Sequence, residues 1–148
     1  MSIWRVAPDP KALTERAGGT MLGFLGIVVT EAGPDFLRAT LPVNERSVQP
    51  HGLLHGGASV ALAESIGSVA STCCIDTERY MCVGQEINAN HLRGVPAGSS
   101  VTATVRPFHL GARSHVWHIE IRDERERLVC VSRLTMAIVE RRAQPARS

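Results

Sequence analysis

The sequence predicts an α+β fold in which one long helix packs on an antiparallel sheet of about six strands. From position 56 to about 73 there is no Gly-Pro break, and apolar residues recur at i, i+4, i+7 and i+11, the spacing of one buried helical face. This face consists of Leu62, Ile66, Val69 and Cys73. After Asp76 the apolar pattern changes to the alternation that is typical of strands.

The chain before the long helix starts with a short predicted helix. This helix begins at Pro10, with Asp9 as its N-terminal cap and the Gly18-Gly19 pair as its stop. Proline is favoured in the first turn of a helix, and glycine is favoured just past its end. Residues 20–25 are expected to add one more helical turn.

Two strands are predicted before the long helix and four after it. Residues 26–29 and 36–41 flank the turn-forming Gly33-Pro34-Asp35, which favours an antiparallel hairpin. The four later strands follow one another closely along the chain and are predicted to form a four-stranded meander. They span roughly residues 81–91, 100–109, 114–122 and 128–139.

Size and composition favour one globular domain over the whole chain of 148 residues. The apolar fraction of 44% and the charged fraction of 20% are ordinary for a soluble protein. A formal net charge of +2 and an aromatic content of 4% argue against a nucleic-acid-binding protein. Residues from about 140 to 148 are predicted to be a flexible tail.

The sequence contains no recognisable targeting segment. The first ten residues lack an apolar stretch of signal-peptide length, and nowhere do about 18 apolar residues run together. The four cysteines include no CxxC pair, which argues against a zinc or disulfide framework and fits buried, reduced thiols. We therefore predict a cytoplasmic protein with no membrane partner.

The most informative segment runs from Gln49 to Ser68, where a loop with two histidines opens directly into the Gly/Ala/Ser-rich helix. The start of a helix presents unpaired backbone N–H groups and the positive end of the helix dipole. Gly56 and Gly57 therefore allow a developing oxyanion to approach the main chain closely. Glu64 lies a little over two turns further along and is a candidate nucleophile or base once it is partly desolvated.

Plainer interpretations of the same residues stay open at this point. Glu64 lies away from the apolar face, as a solvated residue of any amphipathic helix would. His55 could be a loop residue that only hydrogen-bonds a backbone carbonyl. His51 and His55 are four residues apart, but Gly52 lies between them and no third ligand is arranged nearby, as zinc would require, so no metal site is predicted.

The His55-Gly56-Gly57 triplet, followed by Glu64 in an Ala/Ser-rich helix, is a specific motif. Weaker matching segments accompany it at residues 21–23, 49–50, 84–91, 107–113 and 132–135. Together these segments resemble the hotdog-fold acyl-CoA thioesterases, and within them the branch that acts on aromatic acyl-CoA substrates. The resemblance covers nearly the whole chain and implies an antiparallel sheet wrapped around one central helix.

The resemblance also implies an assembly and a set of site residues. The assembly is a homodimer that joins two sheets into one, often doubled to a homotetramer, with active sites at the subunit boundary. Glu64 would be nucleophile or general base, and the Gly56 N–H would stabilise the oxyanion. Gln49 and His55 would orient the thioester and the attacking water, and Ser68 would position that water. The residues implied for substrate and CoA binding are Gly84, His91, Arg93, Gly111, Arg113 and Ser114.

We therefore expect a cofactor-independent thioesterase that hydrolyses aromatic acyl-CoA, such as hydroxybenzoyl-, phenylacetyl- or dihydroxynaphthoyl-CoA, to free acid and CoA. The alternatives are a broad medium-chain acyl-CoA thioesterase and a non-catalytic acyl-CoA-binding or regulatory module, because a fold alone does not determine function. The HGG loop together with Glu64 argues against the non-catalytic module, which has no need for a carboxylate. A hotdog dehydratase or hydratase resembles a different His/acid pattern, which is not found here.

Overall fold

The computed structural model describes residues 1–142, which form three helices and one six-stranded sheet. The helices are α1 (Pro10–Arg16), α2 (Met21–Leu25) and α3 (Gly56–Cys74). The strands are β1 (Val28–Ala32), β2 (Leu37–Pro42), β3 (Tyr80–His91), β4 (Ser100–Leu110), β5 (Ser114–Asp123) and β6 (Leu128–Glu140). The predicted α+β architecture is confirmed. Of the predicted tail, residues 143–148 lie outside the described residues, and Glu140 is the last residue of β6.

The first helix begins and ends as predicted. The Asp9 side chain accepts hydrogen bonds from the backbone N–H groups of Lys11, at 3.0 Å, and Ala12, at 3.4 Å, which satisfies donors that have no partner inside the helix. Pro10 occupies the first turn, where its missing N–H costs nothing. The short helix α2 ends at Gly26, whose φ of 77° is in the left-handed region that glycine adopts without strain.

All strands of the sheet pair antiparallel, in the order β1-β2-β4-β5-β6-β3. The predicted hairpin of β1 and β2 is confirmed, whereas the predicted four-stranded meander is wrong. Only β4, β5 and β6 form a meander, and β3 pairs with β6 at the far edge. The reason is the connection from β3 to β4, which is long enough to cross the end of the sheet. Within it, Val95 accepts a hydrogen bond from Leu54 N at 2.8 Å and Ser99 accepts one from Val43 N at 2.8 Å.

The core lies between the inner face of the sheet and α3, which packs against β2 to β6. Leu62 and Ile66 are buried as predicted, but Val69 is only half-buried. Small residues of α3 are buried instead, and they let the sheet approach the helix closely. These residues are Ala58, Ser59, Ala63, Gly67, Ala70 and Ser71. At Gly67, an added Cβ would overlap the Leu134 side chain of β6.

Strand β3 forms one edge of the sheet and is the most exposed of the long strands. Two apolar side chains on it remain in solvent, Met81 at 39% and Val83 at 37% relative exposure. Such an edge presents unpaired backbone groups that are available for pairing with another chain. Among residues 1–142, no helix has the length and apolar character needed to cross a membrane.

Candidate active site

A tight loop positions the start of α3. Gly52 N donates to the Gln49 carbonyl at 2.9 Å, and Gln49 N donates to the Leu53 carbonyl at 2.8 Å. Gly52 has a φ of 77°, a conformation that a side chain would strain. The two ends of the loop are joined by an isolated antiparallel β-bridge between Val48 and Leu54. This places the following residue, His55, at the N-cap of α3 in an extended conformation.

The hydrogen bonds of the first helical turn leave one backbone N–H open. The Nδ1 atom of His55 accepts from Gly57 N at 2.8 Å, and the His55 carbonyl accepts from Ala58 N at 2.9 Å and from Ser59 N at 3.2 Å. Gly56 N has no acceptor within the described part of the chain. An N–H of this kind, at the positive end of a helix dipole, is available to an anion.

A cavity of about 400 Å³ opens beside this N–H. Gly56, Gln49, His91 and Arg93 all contribute to its lining, so the structure brings together four of the predicted site residues. The fit around Gly56 is close, because an added Cβ would lie 2.9 Å from Nε2 of His91. The other lining residues, which the sequence analysis did not single out, are Leu53, Leu54, Ser59, Leu92, Gly94 and Val129.

Glu64 lies on α3 about 12 Å beyond Gly56, at 1.5 Å per residue, and does not line that cavity. Its half-buried carboxylate points toward β3, where an added Cβ on Gly84 would overlap Oε1 of Glu64. Within residues 1–142 the carboxylate has neither a hydrogen bond nor an ion pair. Glu64 and Gly84 therefore form a second group of predicted residues, separate from the group around Gly56.

Three other predicted residues have specific local partners. The Gln49 side-chain oxygen accepts a hydrogen bond from the backbone N–H of His51, which holds it at the turn. The His55 side chain is exposed, and together with Gly57 it borders a different groove, formed with the start of α2. Ser68 Oγ lies 3.6 Å from the sulfur of Met136 and borders an apolar groove between α1 and α3.

The predicted CoA-binding residues after β4 lie at the turn between β4 and β5. Gly111 N donates to the Ser114 carbonyl at 2.9 Å, and the Arg113 carbonyl accepts from Ile138 N at 2.9 Å. Arg113 itself is exposed. These three residues do not line the cavity beside Gly56, so within one chain they are not brought together with His91 and Arg93.

Ser59 is the polar residue of this region that the sequence analysis missed. It is 1% exposed, lines the cavity and lies three residues after Gly56, which places both on the same face of α3. The i, i+3 spacing from the first residue of the helix is the signal that could have identified it. The apolar lining residues Leu53, Leu54 and Leu92 come from loops, where periodicity carries no information, and Val129 lies near the start of β6.

Comparison with known proteins identifies the family. Residues 51–130 match the thioesterase superfamily, and this match contains both the start of α3 and Glu64. The chain belongs to this superfamily. It is a thioester hydrolase with the hotdog fold, as the sequence resemblance implies.

Three relatives illustrate how closely this thioesterase resembles known members. It is 53% identical over 137 residues to 1,4-dihydroxy-2-naphthoyl-CoA hydrolase from Escherichia coli, covering 93% of this chain and 99% of that one. The crystal structure of a glutamine-to-alanine mutant of a Pseudomonas aeruginosa thioesterase superimposes with a TM-score of 0.92, at 46% identity over 95% of this chain and 100% of that chain. A Staphylococcus aureus protein, crystallised as a glutamate-to-alanine mutant, superimposes with a TM-score of 0.79 at 37% identity. The match covers 82% of this chain and 99% of that chain.

For a thioesterase, the two groups of residues supply complementary chemistry. An open N–H at a helix start can stabilise the oxyanion of a tetrahedral intermediate. A carboxylate with no internal partner can act as a base or nucleophile. Gly56 and Glu64 are about 12 Å apart along α3, and Glu64 does not line the cavity beside Gly56, so a single chain does not gather the two groups around one pocket.

Proposed function

We propose that this thioesterase hydrolyses aromatic acyl-CoA to the free acid and CoA, at a site that two subunits share. The observation that carries the proposal is the open N–H of Gly56, which lies at the positive end of α3 beside the cavity that Gln49 and His91 line. The thioester carbonyl oxygen becomes an oxyanion in the tetrahedral intermediate, and a preorganised N–H stabilises that charge.

Glu64 supplies the carboxylate in this mechanism. In one route it removes a proton from water, and the water oxygen attacks the thioester carbonyl carbon. In the other route the carboxylate attacks that carbon itself, and water then hydrolyses the mixed anhydride. Both routes break the same C–S bond, transfer one proton to the CoA sulfur and leave the enzyme unchanged. Both need a single carboxylate that is not neutralised by an internal partner.

Two relatives support the choice of Gln49 and Glu64. The S. aureus protein has been crystallised with a glutamine replaced by alanine and with a glutamate fifteen residues later replaced by alanine. Gln49 and Glu64 have the same separation in this chain. The P. aeruginosa thioesterase was likewise crystallised with a glutamine replaced by alanine. In our proposal, the Gln49 amide orients the thioester, and Ser68 and His55 support the attacking water from the neighbouring turns.

The free edge of β3 supports a dimeric site. Two copies of β3 paired antiparallel across a two-fold axis would extend the sheet through both subunits and satisfy the unpaired backbone groups of that edge. The two α3 helices would then run antiparallel to each other. The start of one helix would lie opposite the middle of the other, so Gly56 of one subunit could face Glu64 of its partner. We propose this dimer as the catalytic unit, and two such dimers as the tetramer.

The substrate class rests on the E. coli relative, which is named for an aromatic acyl-CoA and is 53% identical. Leu53, Leu54 and Val129 give the cavity apolar walls that suit an acyl group. Exposed Arg93 at the cavity and exposed Arg113 at the β4–β5 turn are the guanidinium groups proposed to bind CoA phosphates. The partner subunit would bring the two arginines to the same substrate.

We also propose a cytoplasmic location. All four cysteines are free thiols in the structure, which suits a reducing compartment. Partial burial, with smaller contributions from Cys73 and Cys82, raises the pKa of Cys74 to about 12. The protein's own thiols are therefore expected to react slowly with thiol reagents, which favours an assay that detects released CoA.

The test measures CoA release from benzoyl-, 4-hydroxybenzoyl-, dihydroxynaphthoyl-, hexanoyl- and palmitoyl-CoA by wild type and by Glu64→Gln. We expect the highest kcat/KM with the aromatic thioesters and a loss of roughly 10²- to 10⁴-fold in kcat for Glu64→Gln. Glu78→Gln, at an exposed glutamate in the turn after α3, is the matched control and should keep wild-type turnover. Faster turnover of hexanoyl-CoA would favour a medium-chain enzyme. Acyl-CoA binding without CoA release would favour a binding module.

A further inference from the structure

A second cavity, of about 420 Å³, lies at the opposite end of α3 from Gly56. The helix has 19 residues, so the two ends are about 27 Å apart along its axis, at 1.5 Å per residue. The mechanism proposed above uses none of the side chains in this cavity. Its walls include Arg5, Asp76, Leu110, His115 and Ile138, together with Gly111, which the resemblance implies for CoA binding.

A buried histidine forms part of the wall. His115 is 4% exposed, and its Nδ1 lies 3.1 Å from Oγ of Ser71, which is fully buried on α3. The indole N–H of Trp117 donates to the same Ser71 Oγ at 2.6 Å. An indole nitrogen can only donate, so it occupies one lone pair of the serine oxygen. Within the described residues the serine proton then has one acceptor, Nδ1 of His115.

This arrangement of hydrogen bonds favours one tautomer of His115. If Nδ1 accepts the serine proton, the neutral imidazole carries its own proton on Nε2. Burial, with a smaller contribution from His109, lowers the pKa of His115 and so favours this neutral form. Among residues 1–142, Nε2 has no hydrogen-bond partner, and no fully buried side-chain nitrogen or oxygen lacks one. The Nε2–H therefore opens into the cavity as a donor.

Most of the remaining lining is apolar or electrically balanced, and Tyr80 and Cys74 add a hydroxyl and a thiol. Ile75, Leu110 and Ile138 provide apolar walls. Arg5 and Asp76 are 3.1 Å apart and form an ion pair that also lines the cavity, so neither charge is left over for a ligand. The segment that carries Arg5 is held in place because Arg5 N and Val6 N both donate to the Cys73 carbonyl, at 3.0 and 3.1 Å.

We propose that this cavity is a second ligand site, which takes a neutral apolar molecule through one oxygen that accepts a hydrogen bond from Nε2 of His115. The volume is within the range of small-molecule sites. A ligand that lacks the oxygen covers the Nε2–H without offering it an acceptor, which costs affinity. The groups proposed for the chemical step, Gly56 and Glu64, do not line this cavity, whereas the predicted CoA-binding residue Gly111 does.

The test uses 1-indanone, a neutral bicyclic ketone, as the probe and indane, the same skeleton without the oxygen, as its matched comparison. Binding to the full-length protein is followed by NMR through the indole N–H signal of Trp117, which reports on the Ser71 hydrogen bond. We expect 1-indanone to shift this signal in a saturable way. Indane should bind roughly three- to tenfold more weakly, as expected for one lost hydrogen bond.

Two variants, Ala112→Phe and His115→Phe, test whether the probe binds in this cavity. Ala112→Phe adds a ring to an exposed residue of the lining and should weaken 1-indanone binding at least tenfold, whereas Ala7→Phe, outside the cavity, should not change it. His115→Phe should remove the preference for the ketone, and Ala112→Phe keeps the test decisive if His115→Phe does not fold. Binding that survives Ala112→Phe, or equal affinity for ketone and hydrocarbon, would overturn the proposal.

Discussion

Gly84 of β3 leaves the space that the Glu64 carboxylate of α3 occupies. A Cβ at position 84 would overlap Oε1 of Glu64, so the two residues are matched in size although they belong to different elements. The carboxylate is held against the strand that also forms the free edge of the sheet. This contact connects the proposed catalytic group to the surface where we place the partner subunit.

Gly84→Ala should reduce turnover without unfolding the protein. The overlapping atom is the far end of a flexible side chain, so the carboxylate can move aside at little cost in the free energy of unfolding. A carboxylate displaced by about 1 Å is expected to lower kcat roughly 10- to 100-fold. Thermal unfolding and CoA release measured on the same samples check both parts.

A double-mutant cycle controls this experiment. In a Glu64→Ala background, Gly84→Ala should cause no further loss of kcat, because the displaced group is already absent. Additive losses would mean that Gly84 affects catalysis by another route, such as dimer formation.

Gly56→Ala should weaken substrate binding through His91. The new Cβ would lie 2.9 Å from Nε2 of His91 and push the imidazole out of its position in the cavity. Alanine is the better helix former by roughly 0.5–1 kcal/mol, so we expect no loss of stability. The KM for acyl-CoA should rise. His91→Ala is the matched comparison, and the double variant should be no worse than the more affected single variant.

His55 has a structural role that can be separated from a catalytic one. Its Nδ1 caps Gly57 N at 2.8 Å, so His55→Ala should destabilise the protein by about 0.5–2 kcal/mol. Serine is a good N-cap, and His55→Ser should recover most of that stability. We expect turnover to stay reduced in both variants, because serine cannot replace the imidazole that we propose supports the attacking water. Full turnover in His55→Ser would mean that His55 only caps α3.

The sequence predicted the elements of the fold better than their neighbours in the sheet. Capping residues and apolar spacing are local signals, and they located the ends of α1 and α3 within a residue or two. The order of strands depends on which edge of the sheet each strand joins after the connecting segment crosses the sheet. The alternation of apolar and polar residues within a strand carries no information about its neighbours. The position of β3 beside β6 was therefore missed.

In the candidate site, too, local sequence patterns indicated some features, whereas contacts between distant elements could not be predicted. The start of α3 could be predicted because the HGG triplet and the helix signal are contiguous. The contact between Glu64 and Gly84 joins residues twenty positions apart on different elements, and no local pattern indicates it. The prediction that Val69 is buried was also wrong. The buried face of α3 includes small residues such as Ala63 and Ala70, which let the sheet approach closely, and a pattern of large apolar residues does not detect them.

The pKa shift of His115 predicts a loss of stability in mild acid. Burial lowers the pKa of His115 in the folded protein, whereas the unfolded chain titrates near the ordinary value of about 6.5. Below that pH the unfolded state binds a proton that the folded state does not, so the free energy of unfolding falls as the pH falls. Denaturant unfolding of wild type and His115→Gln at pH 7.5 and 5.5 checks this. The variant should lose less stability over the interval, and an equal loss would contradict the prediction.

Mixing two inactive variants should restore activity if each site uses residues of both subunits. In a hybrid of Gln49→Ala and Glu64→Gln, one site receives both substitutions and the other receives neither. Random exchange makes half of the dimers hybrids, so about one quarter of wild-type CoA release should return. Each variant taken alone through the same unfolding and refolding step should stay inactive. If Gln49 and Glu64 served the same site from one subunit, every hybrid site would carry one substitution and no activity would return. The experiment therefore tests directly whether the start of α3 in one subunit and Glu64 of the partner subunit, about 12 Å further along its own α3, form one active site.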